Sequence, residues 1–307
     1  MRSVRGSGFR VPSSEFRVAG LGFRVKPQTR NSELGFTLVE MIVVIVITGI
    51  LGGIVAMFIR APMQGYVDSA RRAEMTDIAD TALRRIGRDL RLALPNSVRV
   101  TQVGTVYYLE FIPTSGGGRY RSGAGGTNNV LDFTAADTSF EVLGPMPPAF
   151  VGGESIVVYN LGIAGASAYD NTSRTTTVVT AAGNIINIAA PGKLFPFDSP
   201  GHRFQVITTP VTYVCAPVAG GAGGTLTRYW GYNITAAQPT SIAALTAANG
   251  GTLPPNALLA TNVGACSITY DANVVAQRSG LVTMRLGITE HGETVTLYNA
   301  AHVSNVP

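Results

Sequence analysis

From Phe36 to Ile59 the chain is apolar at nearly every position, and Glu40 is the single charge in those 24 residues. A run of that length crosses a bilayer as a helix with some tilt. The pattern then changes. Between about Asp68 and Leu94, apolar residues fall at Met75, Ile78, Ala79, Ala82, Leu83, Ile86 and Leu90, one face of a helix. The other face carries Arg71, Arg72, Arg84, Arg85, Arg88 and Arg91 among Glu74, Asp77, Asp80 and Asp89. Such a mixture reads as a solvated, ion-paired surface, or as a lining for contacts in an assembly. Ala61-Pro62 predicts a break or kink, because proline withholds a backbone donor. Asp68 is a plausible N-cap for the second segment, and Pro95-Asn96 should end it. Were residues 36–94 nearly continuous, they would extend about 90 Å.

After Ser97 the period shortens. Strand-like runs recur between clusters of Gly, Pro and Asn at residues 103–112, 155–159, 175–179, 184–188, 203–208, 211–215, 226–232, 266–270, 281–288 and 294–298. In 281–288, Val282, Met284, Leu286 and Ile288 alternate with Thr283, Arg285 and Gly287, as expected of a sheet covered on one side. The amphipathic helix is the natural cover. Glycine-rich stretches at 116–126, 152–166 and 220–224 read as surface loops. The pattern therefore predicts an α+β chain. Its parts are a leader (residues 1–35), a transmembrane helix (36–59), an amphipathic helix (60–96) and a β-rich head of antiparallel sheet (97–307).

Glu40 is the anomaly in this scheme. An ionised group at bilayer depth costs roughly 2.5 to 3.5 kcal/mol on insertion scales, so intramembrane acids are usually paired and functional. A cut between Gly35 and Phe36 would create a partner, a free α-amine close in depth to the Glu40 of a neighbouring chain.

Charge supports the same division. The chain carries a formal +5, and residues 1–35, with seven Lys or Arg against two acids, account for all of it. The rest is balanced, so the high isoelectric point reports a basic leader and no nucleic-acid surface. Basic residues before the apolar run favour a cytoplasmic N-terminus, which puts everything after Arg60 across the membrane. The leader repeats Phe-Arg-Val at 9–11, 16–18 and 23–25, but Gly and Pro interrupt any coiled-coil seam. A start near Val25 would leave a short leader ending in Leu34-Gly35. Cys215 and Cys266 suit an oxidising compartment and read as one disulfide. No CxxC or His-rich spacing favours a metal, and no cofactor motif is present.

Candidate chemistry in the head is sparse. His202, His291 and His302 have no metal-ligand spacing, and Asp198-Ser199 near His202 has the composition of a turn. These features predict no enzyme. Arg228, Tyr229, Trp230 and Tyr232 lie between the cysteines and form a candidate interaction loop; the competing reading is a strand whose aromatics pack inward.

Gly35-Phe36-Thr37-Leu38-Val39-Glu40 with the following apolar run resembles the prepilin-type cleavage and methylation segment of type IV pilins and secretion pseudopilins. The resemblance implies a pilin-like fold and a membrane-embedded prepilin peptidase/methyltransferase that cuts after Gly35 and methylates Phe36. It also implies that Glu40 is the assembly carboxylate. Segments such as Phe58-Ile59-Arg60-Ala61-Pro62, Leu94-Pro95-Asn96-Ser97 and the 225–232 run are similar to minor pilins of the mannose-sensitive haemagglutinin (MSHA) pilus. That likeness implies other major and minor pilins and the inner-membrane assembly platform as partners. It implies a bacterial inner-membrane chain that passes into a surface filament. A type II secretion pseudopilin and a membrane-anchored adhesin that never polymerises are the rival expectations.

Overall fold

The computed structural model describes residues 35–123, 125, 129–147, 150, 154–177, 179–272 and 279–307. The leader, apart from Gly35, lies outside the described residues. The chain divides into two compact units, one reaching to Pro62 and one running from Met63 to Pro307.

Helix α1 spans Leu38–Leu90 and contains Pro62, so the expected break at Ala61-Pro62 does not occur. Proline removes only the bond to the Phe58 carbonyl, and one missing bond leaves the rest of the ladder to hold the helix. Asp68 is consequently mid-helix and caps nothing; its carboxylate accepts from Arg71 Nη1 at 3.4 Å. The helix also stops earlier than Pro95. Leu92 and Ala93 N–H groups bond back to Asp89 and Leu90, and Asn96 turns the chain at φ +59°.

In the second unit the strands are β1 (Arg99–Val103), β2 (Val106–Phe111), β3 (Thr114–Tyr120), β4 (Ser139–Leu143), β5 (Ser155–Val158), β6 (Val179–Ala182) and β7 (Ile185–Ile188). They continue as β8 (Arg203–Ile207), β9 (Val211–Ala216), β10 (Thr225–Trp230), β11 (Asn256–Thr261), β12 (Val263–Asp271), β13 (Ser279–Glu290) and β14 (Glu293–Ser304), with helix α2 (Ile242–Ala248) between β10 and β11. Among the described residues they form three antiparallel sheets, ordered β1-β2-β9-β10-β11, β12-β13-β14 and β5-β8-β3-β4-β7-β6. The chain is thus α+β, a long N-terminal apolar helix followed by antiparallel sheets.

One core lies where α1 covers the first two sheets. Met75, Ala79, Ala82, Leu83, Ile86 and Leu90 are buried against Phe111, Tyr213, Leu226, Met284 and Leu286. Ile78 is half-buried at the margin. Each large side chain so placed contributes about 1.5 to 3 kcal/mol. The six-stranded sheet holds a separate core of Tyr120, Phe140, Ile156, Ile186, Phe195 and Phe204, to which α1 gives nothing.

Several expected loops and strands fall differently. Residues 103–112 are not one strand. Gly104, at φ +60°, turns β1 into β2, so that Arg99 lies opposite Glu110. The glycine run at 116–118 is not a loop but part of β3. A Cβ on Gly117 would lie 2.7 Å from the Phe204 carbonyl oxygen, and one on Gly118 would meet the Phe204 ring at 3.0 Å. Glycine lets the aromatic ring of β8 lie across its partner strand. Within 152–166, Ser155–Val158 is strand β5, while 175–177 is not strand and that ladder begins at Val179. The 220–224 segment is a turn, as expected.

Cys215 of β9 and Cys266 of β12 are joined by a disulfide across 51 residues, linking the two sheets beneath α1. A closure of that length is worth about 4 kcal/mol in loop-entropy treatments. The variant Cys215→Ala/Cys266→Ala is expected to unfold at lower urea, with a loss of that order when measured against the oxidised wild-type chain.

Candidate functional site

The N-terminal segment is built as a capped helix. Thr37 precedes α1, and its Oγ1 accepts from the Glu40 backbone N–H at 3.2 Å. The first helical bond runs from Met41 N to the Thr37 carbonyl, also 3.2 Å. Thr37-Leu38-Val39-Glu40 is therefore the T-x-x-E capping arrangement, which puts Glu40 in the first turn, where an acid suits the positive end of the helix dipole. Gly35 and Phe36 lie ahead of the helix, and Phe36 is 78% exposed.

Beyond the cap, no residue of the most apolar stretch of α1 is buried. Val43, Ile47, Ile50, Ile54 and Phe58 are all exposed. A helix apolar on every side is stable only where its surroundings are apolar too, in lipid or among like helices. The hydroxyl within it is satisfied locally, Thr48 Oγ1 donating to the Val44 carbonyl at 2.6 Å. Gly49 and Gly53 share one face with open space around both, a spacing that lets a neighbouring helix approach closely.

Residues 225–232 do not form a loop. Their first six residues are strand β10, held between β9 and β11. Tyr232 is fully buried, donating to Glu110 Oε1 at 3.0 Å and bonded to the Thr212 hydroxyl. Arg228 donates to Asp89 of α1 at 2.8 Å and lies over the Trp230 ring at 4.9 Å. Tyr229 and Trp230 are half-buried. The group is brought together, but most of it faces the head's own interior. The strand-like run at 226–232, with aromatics packing inward, is the reading of this segment that holds.

Asp198, Ser199 and His202 also meet without forming a nucleophilic site. His202 Nδ1 is 3.4 Å from Asp198 Oδ1, and Tyr120 donates its hydroxyl to the same carboxylate oxygen. Ser199 is wholly buried and its Oγ has no hydrogen-bond partner among the described residues. It therefore receives no activation from the imidazole. Burial and the Asp198 carboxylate push the Tyr120 hydroxyl's pKa up, fixing it as a donor. The buried Tyr120 is a strut between β3 and the partly exposed 198–202 turn.

One polar group went unread in the sequence. Glu110 is buried on β2, with Arg99 Nε 2.7 Å from its Oε2 and Thr212 of β9 directly opposite. Arg99 also donates to the Ala236 and Thr235 carbonyls and lies 3.6 Å over the Tyr169 ring. Burial pushes the Glu110 carboxyl up, and the bonds from Arg99 and Tyr232 pull it back down in part. Its available signal was the placement of Arg99 and Glu110 at equal distances either side of the Gly104-Thr105 turn.

The exposed apolar helix and its cap lie where a known signature falls. Residues 30–56 match the prokaryotic N-terminal methylation motif. This prepilin-type motif supports a type IV pilin-like protein and a pilin or pseudopilin type of function. It implies processing by a prepilin peptidase and assembly with other pilins, and with the apolar helix it fits membrane anchoring. No curated protein and no solved structure matches the chain.

Proposed function

We propose that the chain is a minor pilin of a type IV pilus of the MSHA kind. It is made as an inner-membrane prepilin with a cytoplasmic N-terminus and a periplasmic head. Prepilin peptidase/methyltransferase cuts after Gly35 and methylates Phe36. The assembly platform then extracts the chain into the filament, where α1 packs among the helices of other pilins and Glu40 pairs with a neighbour's terminal ammonium. Its work is in filament initiation and surface attachment, with no catalysis.

The observation that carries this reading is the methylation motif set on a helix whose most apolar stretch buries none of its residues. An unpartnered face of that extent needs lipid before assembly and other helices after it. The test is mass spectrometry of the N-terminal peptide from purified pili. The expected peptide begins with N-methylphenylalanine at Phe36. A chain found only in membranes, still starting upstream of Gly35, would overturn the proposal.

A further inference from the structure

Strand β14 is an edge. In the order β12-β13-β14 it pairs with β13 alone, along all twelve of its residues. Its outer backbone groups have no partner among the described residues. Natural edges of such length are usually interrupted by proline, lysine or a bulge, since a bare edge templates further strands. Glu293–Ser304 contains no Pro, Lys or Arg and pairs in unbroken register. What stands beside this edge is a row of guanidinium groups.

The two elements run side by side in the same direction. Arg72 of α1 pairs with Glu293, and a Cβ on Gly87 would lie 3.8 Å from Asn299 Oδ1. Fifteen helical residues cover about 22 Å and six strand residues about 20 Å, so helix and strand keep pace. Val295, Leu297, Ala301 and Val303 pack toward the core that α1 covers, while Thr294, Thr296, Tyr298 and His302 are exposed. A groove of about 390 Å³ follows the flank, lined by Asp80, Arg84, Arg88 and Arg91 on one side and by Asn299 and Ala301 on the other. Asp80 neutralises Arg84 at 2.6 Å. Arg88 and Arg91 are exposed and have no ion pair among the described residues.

We propose that the free edge of β14 takes up an extended acidic segment of a partner protein as an added strand, with carboxylates at alternate positions held by Arg88 and Arg91. An added strand would place every second side chain on the face that α1 borders. Those side chains repeat at about 6.7 Å, and Arg88 in the last turn of α1 and Arg91 just past its end are about one helical turn or less apart, within reach of long guanidinium arms. Backbone pairing supplies affinity and the arginines select acids, the division of labour in recognition by strand addition. The inference concerns the folded head and does not rest on filament assembly.

The test uses the full chain in a nonionic detergent and a fluorescent seven-residue peptide of Val and Thr with Glu at its third and fifth positions. Anisotropy should show binding, with the Gln-containing peptide weaker by about tenfold or more. The exposed variant Arg88→Gln/Arg91→Gln should lose the same preference. Hydrogen exchange should slow along residues 293–304 when the Glu peptide binds. Equal binding of the two peptides, no binding, or binding that leaves exchange in 293–304 unchanged would each overturn the proposal.

Discussion

The Glu40→Ala chain should insert, be cleaved after Gly35 and stay out of the filament. Glu40 has two physical roles open to it, and their sizes differ. The Thr37 cap uses its backbone N–H, and its side chain stands at the third helical position, where a capping box can be completed and the helix dipole is faced, together worth about 0.5 to 2 kcal/mol. As a charge in lipid it is opposed by roughly 2.5 to 3.5 kcal/mol, which a neighbour's ammonium would offset. Capping alone is thus too small to account for an acid at this depth. Glu40→Gln separates the roles, because glutamine preserves the cap and removes the charge. Under charge pairing Glu40→Gln fails as Glu40→Ala does, while Glu40→Asp retains some incorporation. Immunoblots of sheared filaments against membranes read the outcome. Normal incorporation of the glutamine variant would refute pairing and leave the cap as the reason for the residue.

Sequence periodicity found what local rules control. The seven apolar positions from Met75 to Leu90 mark the face that meets the sheets, since helical spacing and burial are one constraint. Alternation located β13, and the two cysteines found each other. What it missed was decided at a distance. β3 reads as a loop because its glycines lack β propensity, and only the Phe204 ring and its backbone explain them. β11, Asn-Ala-Leu-Leu-Ala-Thr, has no β-branched residue before its last position and is a strand because β10 offers a ladder. α2 is one short helix capped by Ser241, below the length that periodicity resolves. Of the candidate residues, the N-terminal ones could be picked out because a charge in an apolar run is conspicuous. Tyr232 was not separable from its half-buried neighbours Arg228, Tyr229 and Trp230, since its burial depends on Glu110, 122 residues away.

The Arg99→Met variant should lose about 3 to 5 kcal/mol of head stability at neutral pH, the range for removing one partner of a buried ion pair. The asymmetry between the partners fixes the choice of residue. Glu110 has no exposed side-chain surface and Arg99 retains about a fifth of its own, so the stranded charge that matters is the carboxylate. Burial already raises the Glu110 pKa above its ordinary 4.5, against the pull of Arg99 and Tyr232. A carboxyl that holds its proton more tightly when folded adds stability below 4.5 and loses it as pH rises through the folded value. Without Arg99 that folded value must climb further, so the window widens upward. Urea unfolding at pH 7 and pH 5 should therefore show Arg99→Met recovering part of its deficit at the lower pH, more than wild type gains. Arg99→Met/Glu110→Gln should be more stable at pH 7 than Arg99→Met alone, because no charge remains to be desolvated. Equal losses at both pH values, with additive single effects, would mean that packing of Arg99 on Tyr169 holds this corner together and the ion pair does not.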